Sequence, residues 1–291
     1  MSALIEPLSA ATFRMSPPAA RLQTTLRSEI SHAGIGMHTG LLSRVTVRPA
    51  AQNRGITFIS GSAVIPAVAD SVVNTHRCTC LGIGECQVFT VEHLLSALAG
   101  LEVDNAEIVV DGAEIPILDG SARPWVEALE SAGVVELDEP VRIAGLTAPV
   151  VLSSGESWLI AIPSDAYTIT CVTSFDHALL GTEVVTYRQS PQAFVSEVAP
   201  ARTFGFIEEV EALLSSGLAQ GGSLENALIV YPDRFSGELR IPHECSRHKL
   251  MDVIGDLSLT GVRIHATITA VKPSHRANVE FARLLTQNLA V

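Results

Sequence analysis

A helical pattern that occurs twice constrains the fold of this chain more than any other feature. When the two copies are aligned 155 positions apart, His93 falls on His248 and Gly100 falls on Gly255. In each half, this histidine lies at the start of a predicted helix, which is followed along the chain by a strand and a second helix. We therefore predict an α+β fold with two related domains, each a β-sheet layered against α-helices. A site fed by both copies would lie between the domains, where pockets often form.

The domain boundaries follow from this recurrence and from local composition. We expect residues 1–27 to be a disordered N-terminal tail, because they lack periodicity and are rich in Ala, Ser, Pro and Arg. The first α+β domain is predicted at 28–140 and the second at 147–291. The turn-forming residues Asp138-Glu139-Pro140 mark the start of the junction.

Several helices and strands are defined well enough to place the motifs. Helices are expected at 91–101, with Thr90 as the N-cap residue, and at 206–217, 247–259 and 277–289. Apolar, β-branched segments predict strands, of which the clearest are 43–48, 55–60, 157–162, 166–172 and 263–271.

Bulk properties exclude some functional classes. The net charge of −12 argues against a nucleic-acid partner. Although 47% of the residues are hydrophobic, no run approaches the roughly 20 apolar residues of a spanning helix. The five cysteines are too few for a disulfide framework, so we expect free thiols and a cytoplasmic protein. A monomer is the working expectation.

The stretch Arg247–Asp256 places ligand-type side chains on one helical face. His248 and Asp252 are four positions apart and project from nearly the same side. With His93 they make the two-histidine, one-carboxylate set of a hydrolytic zinc site, and Glu92 beside it could act as general base. Iron(II) accepts the same ligands. The alternatives are an ordinary first helical turn at Glu92-His93 and an exposed i,i+4 pair on the second helix.

Three further residues are candidates for the same site. Asp256 extends the polar stripe of an otherwise apolar helix and could orient an imidazole. His275 is the candidate partner, although a surface or capping histidine is the alternative. Thr203 is a hydroxyl among aromatic residues, or simply a strand end, and Lys249 is either a ligand-binding cation or a solvated charge.

At residue level the chain resembles the UDP-3-O-acyl-N-acetylglucosamine deacetylases. The resemblance covers roughly residues 28–290, and the pair TVEHLLSALAG with RHKLMDVIGD is its most specific part. The matching stretches are Gly34–Gly40, Thr90–Asn105, Glu114–Ser121, Ala201–Phe206, Gly221–Ser223 and Arg247–Asp256.

This resemblance implies zinc-dependent removal of the N-acetyl group from a UDP-linked acylated amino sugar, the committed step of lipid A biosynthesis. It also implies an acyl-chain passage built by an insert within about residues 203–231. The implied roles are metal ligands at His93, His248 and Asp252, a general base at Glu92, a general acid at His275 supported by Asp256, an oxyanion contact at Thr203, and substrate contacts at Lys249 and Phe204.

The chain departs from the family around His275, where the family usually has a preceding glycine and a following Asn-rich stretch. Two other functions stay open at this point. A zinc amidohydrolase for another N-acylated substrate would use the same metal site. A non-catalytic binding module could keep the fold without the reaction, although every expected polar residue is present.

Overall fold

The computed structural model describes residues 21–290. It contains six α-helices and nineteen β-strands in this range. The helices are α1 Glu92–Gly100, α2 Arg123–Ala132, α3 Pro191–Glu197, α4 Ile207–Ser215, α5 Glu244–Ser258 and α6 His275–Asn288. The strands are β1 Leu22–Leu26, β2 Ile30–Ile35, β3 Leu42–Pro49, β4 Ile56–Ser60, β5 Ala63–Pro66, β6 Val72–Asn74, β7 Cys80–Ile83, β8 Cys86–Val88, β9 Ala106–Asp111, β10 Val134–Pro140, β11 Ile143–Leu146, β12 Val150–Ser154, β13 Ser157–Pro163, β14 Tyr167–Ser174, β15 Thr182–Arg188, β16 Phe204–Phe206, β17 Leu228–Val230, β18 Arg263–Val271 and β19 Leu289–Ala290.

The first half is built on a five-stranded sheet of order β2-β3-β9-β4-β5. The central strand β9 pairs antiparallel with β3 and parallel with β4. Alternate residues of β3, such as Val45 and Val47, are fully buried, while Leu42 and Arg44 face outward. This period of two places one face of the sheet against the helices.

The second half repeats this arrangement. Its central strand β18 pairs antiparallel with β13 and parallel with β14 through the same residues, so these two strands lie on opposite edges of β18. Hairpin partners β12 and β15 complete the order β12-β13-β18-β14-β15, and β11 and β19 extend the sheet. Each half therefore has two hairpins, a helix, a central strand and a second helix. The prediction of an α+β fold with two related halves is confirmed.

Each half also carries an insert at the same point, between its second hairpin and its central helix. In the first half the insert is the three-stranded sheet β6-β7-β8. In the second half it includes α3 and the parallel unit β16-α4-β17. These inserts directly precede α1 and α5 in the chain, so they adjoin the N-terminal ends of the two helices.

The helices α1 and α5 pack directly on each other and join the two halves. Gly255 permits the closest approach, since a Cβ atom there would lie 2.2 Å from the backbone oxygen of Glu92. Buried residues on both helices, including Leu94, Leu98 and Met251, merge into a core shared by both sheets. The contact holds the first turn of α1 beside the middle of α5.

The structure corrects the sequence analysis at three places. Residues 1–20 of the predicted tail lie outside the described residues, but Leu22–Leu26 form β1, which pairs antiparallel with β10. The prediction of disorder to residue 27 is wrong here, because Leu26 is buried and the Thr24 backbone N–H donates to Asp104. The domain boundaries themselves stay predictions.

The second correction concerns Thr90, which does not cap α1. It adopts a positive φ of 59°, and its hydroxyl donates to Glu114 instead of to the helix. The third is the start of α5, which begins at Glu244 and not near Arg247.

Within residues 21–290 no helix is both long and apolar enough to cross a membrane. All five cysteines are free thiols.

Candidate metal and catalytic site

The N-terminal ends of α1 and α6 converge with the middle of α5 between the two halves. The first turn of α1 carries Glu92 and His93, α5 carries His248 and Asp252 one turn apart, and α6 begins at His275. The fit of α1 on α5 brings the first four of these residues into one buried cluster. Candidate site residues from both copies of the repeat therefore lie together between the two halves.

His93, His248 and Asp252 form a group able to hold a metal ion. One ligand-type atom from each lies within 4.8 Å of the other two. The Nε2 atoms of His93 and His248 lie 3.8 Å and 3.5 Å from Asp252 Oδ1. That oxygen is buried and accepts no hydrogen bond from any residue in the described range. An orphaned buried carboxylate oxygen facing two imidazole nitrogens fits a cation.

The charge states of these side chains suit metal binding. Burial lowers the pKa of His93 to about 3 and also lowers that of His248, so both imidazoles are neutral near pH 7. Burial would raise the pKa of Asp252, but Lys249 and His248 outweigh it and hold the pKa well below its usual value. Neutral imidazoles and an ionised carboxylate are the forms that coordinate a metal.

The ring of His248 is also oriented from behind. Its Nδ1 lies 3.2 Å from the backbone oxygen of Ala201, so Nδ1–H donates there and leaves Nε2 free as a ligand. The next residue, Arg202, is fixed by the buried carboxylate of Glu244, which accepts from its Nε at 2.7 Å. The segment beside the second histidine is therefore held rigidly.

Glu92 and His275 face each other beside the ligand group. Burial, together with Asp256 and Asp252, raises the pKa of Glu92 to about 8 against the opposing effect of His275. Burial alone would lower the pKa of His275, but Asp256 and Glu92 prevail and raise it to about 9. His275 Nε2 lies 3.9 Å from Glu92 Oε1. Both groups can exchange protons near neutral pH.

Asp256 lies behind His275, as the sequence analysis predicted. Its Oδ2 is 3.0 Å from His275 Nδ1 and also accepts a hydrogen bond from Asn278 at 2.9 Å. The side chain of His275 is only 11% exposed, so the alternative of a surface histidine is wrong. Ser274, and not His275, is the N-cap of α6, because its hydroxyl accepts from Ala277 N–H.

Thr79 and Asn278 complete the site and were missed in the sequence. The hydroxyl of Thr79 donates to Asp256 Oδ1 at 2.6 Å, and its backbone N–H donates to Glu92 Oε2 at 3.0 Å. Thr79 sits between two cysteines just before β7, and no spacing links it to the helices. Asn278 lies three positions after His275, a helical spacing that could have indicated it.

The predicted substrate residues lie around the ligand group. Lys249 Nζ is 2.9 Å from Asp252 Oδ2 and 5.9 Å from the ring centre of Phe204. Phe204 in turn packs edge-on against His248. Thr203 immediately precedes Phe204, the first residue of β16. Its backbone N–H donates to the backbone oxygen of Gly120, in the first half, at 2.7 Å. The other predicted site residues are thus brought together around the ligand group, and Thr203 adjoins Phe204 in the chain, while the individual roles stay predictions.

A buried two-histidine, one-carboxylate group beside a carboxyl–imidazole pair is typical of metal-dependent hydrolases. A profile described as UDP-3-O-acyl N-acetylglycosamine deacetylase matches residues 23–287. The chain therefore belongs to the UDP-3-O-acyl-N-acetylglucosamine deacetylase family.

Curated relatives agree with this assignment. A UDP-3-O-acyl-N-acetylglucosamine deacetylase of Cellvibrio japonicus is 42% identical, with 91% of this chain and 90% of the relative covered. The protein of the same name from Thermosynechococcus vestitus is 40% identical, with 94% and 96% covered. A bifunctional enzyme LpxC/FabZ of Chlorobaculum tepidum is 36% identical, but this chain spans only 64% of its length.

Proposed function

We propose that this protein is a zinc-dependent deacetylase that hydrolyses the N-acetyl group of UDP-3-O-acyl-N-acetylglucosamine. The products are UDP-3-O-acyl-glucosamine and acetate, in the committed step of lipid A biosynthesis. The orphaned oxygen of Asp252 between two neutral imidazoles is the observation that carries the proposal. Relatives about 40% identical, which are UDP-3-O-acyl-N-acetylglucosamine deacetylases, indicate the substrate.

His93, His248 and Asp252 are the proposed metal ligands. A zinc ion bound there supplies Lewis-acid chemistry, since it lowers the pKa of water toward about 7 and polarises a carbonyl oxygen. Iron(II) is the alternative metal, because imidazole and carboxylate ligands serve both.

Glu92 is the proposed general base. Its Oε2 is fixed by the backbone N–H of Thr79, which leaves Oε1 directed toward His275 and the ligand group. Burial and nearby carboxylates raise its pKa to about 8, close enough to neutral pH for the carboxyl group to take up and release a proton.

His275 is the proposed general acid. Asp256 accepts from its Nδ1, so Nε2 is the nitrogen that can deliver a proton to the leaving amine. The Thr203 hydroxyl is proposed to donate to the oxyanion, a kind of contact worth about 10²-fold or more in rate.

Lys249 and Phe204 are proposed to contact the substrate, and residues 203–231 to accommodate its acyl chain. In support, Phe204 and Phe206 of this segment pack against Phe175 of the β14–β15 hairpin, and Phe204 also packs against His248 of the ligand group. The helix α4 within this insert has no buried residue, although five of its side chains are apolar, so they are available to a lipid chain. A monomeric state and a cytoplasmic location remain part of the proposal.

The test is acetate release from the UDP-linked acylated substrate by the purified protein. Activity should disappear after metal removal and return with zinc. An acylated substrate should be preferred over the unacylated UDP-sugar by orders of magnitude if the insert binds the chain. Failure of the fully metal-loaded protein to release acetate would overturn the proposed function.

A further inference from the structure

Among the described residues, Thr79 contacts both Glu92 and His275, the first through its backbone N–H and the second through its hydroxyl. It belongs to the insert of the first half, whereas Asp256 and His275 belong to the second half. Its backbone also clasps the start of α1, since its N–H donates to Glu92 Oε2 and its carbonyl accepts from Val91 N–H. Thr79 is completely buried, so water cannot replace these contacts without a rearrangement.

The hydroxyl geometry sets the proton position on His275. A threonine hydroxyl has one proton, and the 2.6 Å contact to Asp256 Oδ1 uses it, because a carboxylate can only accept. The remaining lone pairs face His275 Nδ1 at 3.3 Å. Both neighbours of Nδ1, the hydroxyl oxygen and Asp256 Oδ2, are therefore acceptors. Nδ1 must carry a proton, and Nε2 is left to face the site.

We propose that Thr79 is a positioning residue that couples the general base to the general acid. Its hydroxyl fixes the tautomer and orientation of His275 through Asp256, while its backbone N–H fixes the carboxyl of Glu92. The inference rests on the proposed function for its kinetic consequence, although the geometry stands without it.

The kinetic test compares two substitutions at this position. Thr79→Val removes the hydroxyl and keeps the side-chain shape, so kcat should fall about 10- to 100-fold, as for other partners that orient a catalytic imidazole, while KM and zinc content hardly change. Thr79→Ser keeps the hydroxyl and should restore most of kcat. The matched control is Thr57→Val, a buried threonine of β4, which should leave kcat unchanged.

The proposal is overturned if T79V keeps its kcat, or if T79S is impaired as strongly as T79V. If T79V does not fold, as judged by its melting curve, Thr79→Ala provides the same comparison with space for a water molecule.

A second measurement is independent of the reaction. In nitrogen-15 NMR of histidine-labelled protein, His275 should show a proton on Nδ1 that exchanges slowly with solvent, and this exchange should become faster in T79V. Equal exchange in both proteins would overturn the proposal. If the wild-type protein releases no acetate but T79V alters this signal, the proposed function fails while the positioning role of Thr79 stands.

Discussion

The helices α1 and α5 occupy equivalent places in the two halves but contribute different chemistry. Each carries one histidine of the ligand group, His93 or His248, at matching positions of the repeat. The nine-residue α1 adds Glu92 before its histidine, whereas the fifteen-residue α5 adds Asp252 and Asp256 on later turns. The repeat thus accounts for the position of the candidate site between the halves, and the differences between its copies account for the proposed roles of base, ligand and supporting residue.

The first way to break this comparison is to remove one histidine from either half. His93→Ala or His248→Ala should each abolish metal binding and lower kcat about 10³-fold or more, because each leaves only two ligands. Metal analysis and acetate release would be measured together. His265→Ala, at a partly buried histidine of β18, is the control. Retention of stoichiometric zinc by either ligand variant would contradict a site shared between the halves.

The second prediction isolates what α1 alone contributes. Glu92→Gln should keep the bound metal but lose at least about 10²-fold in kcat, since an amide cannot accept the proton. Glu102→Gln is matched to it, because Glu102 lies just beyond the opposite end of the same helix in a weak contact with Arg21. A near-normal kcat in E92Q would contradict the proposed role of Glu92 as the general base that α1 contributes.

The third prediction compares the buried glutamates that support the two halves. Glu244 accepts from the Arg202 guanidinium, whereas the donors to Glu114 within residues 21–290 are all neutral, among them the Thr39 and Thr90 hydroxyls. Glu244→Gln should destabilise the fold by about 3 kcal/mol, because it leaves a largely buried cation without its partner. Glu114→Gln should cost about 2 kcal/mol.

Urea unfolding of both glutamine variants would measure this difference, with exposed Glu29 substituted in the same way as the control. A larger loss of unfolding free energy in E114Q than in E244Q would reverse the proposed ranking of the two halves.

The smallest predicted difference in kcat is between alanine variants of Gly100 and Gly255, which occupy equivalent positions in the repeat. A Cβ atom at Gly255 would lie 2.2 Å from the backbone oxygen of Glu92, and one at Gly100 would lie 2.2 Å from the ring of Phe194. Either alanine should cost about 1–3 kcal/mol through overpacking. Only Gly255→Ala should also lower kcat, because it displaces the base. Equal kcat in the two variants, measured alongside thermal melting, would show that the helix contact does not position Glu92.

Residue spacing within single helices and the order of elements explain why the ligand group and the fold could be predicted from the sequence. The i,i+4 relation of His248 and Asp252 and the recurrence of His93 are properties of single helices, and they led to the ligand group. The order of elements around each histidine led to the fold. Such signals can be recognised in the sequence because, in a helix, the spacing between two residues determines whether their side chains project from the same face.

What the sequence missed depends on contacts between distant segments. Thr79 and Asp256 are 177 positions apart, and no pattern in either segment refers to the other. Thr90 resembles an N-cap, but Glu114 draws its hydroxyl away from the helix. Local composition predicts a tail at the position of strand β1, but β1 pairs with β10, which lies more than 100 residues later. Tertiary contacts decided all three.

The most direct test of the shared site is anomalous diffraction at the zinc absorption edge from crystals of the zinc-loaded protein. We predict one strong peak within coordination distance of His93 Nε2, His248 Nε2 and Asp252 Oδ1, the atoms that converge here from both halves. A peak at the thiols of Cys78, Cys80 or Cys86 instead, with none among these three atoms, would contradict the account.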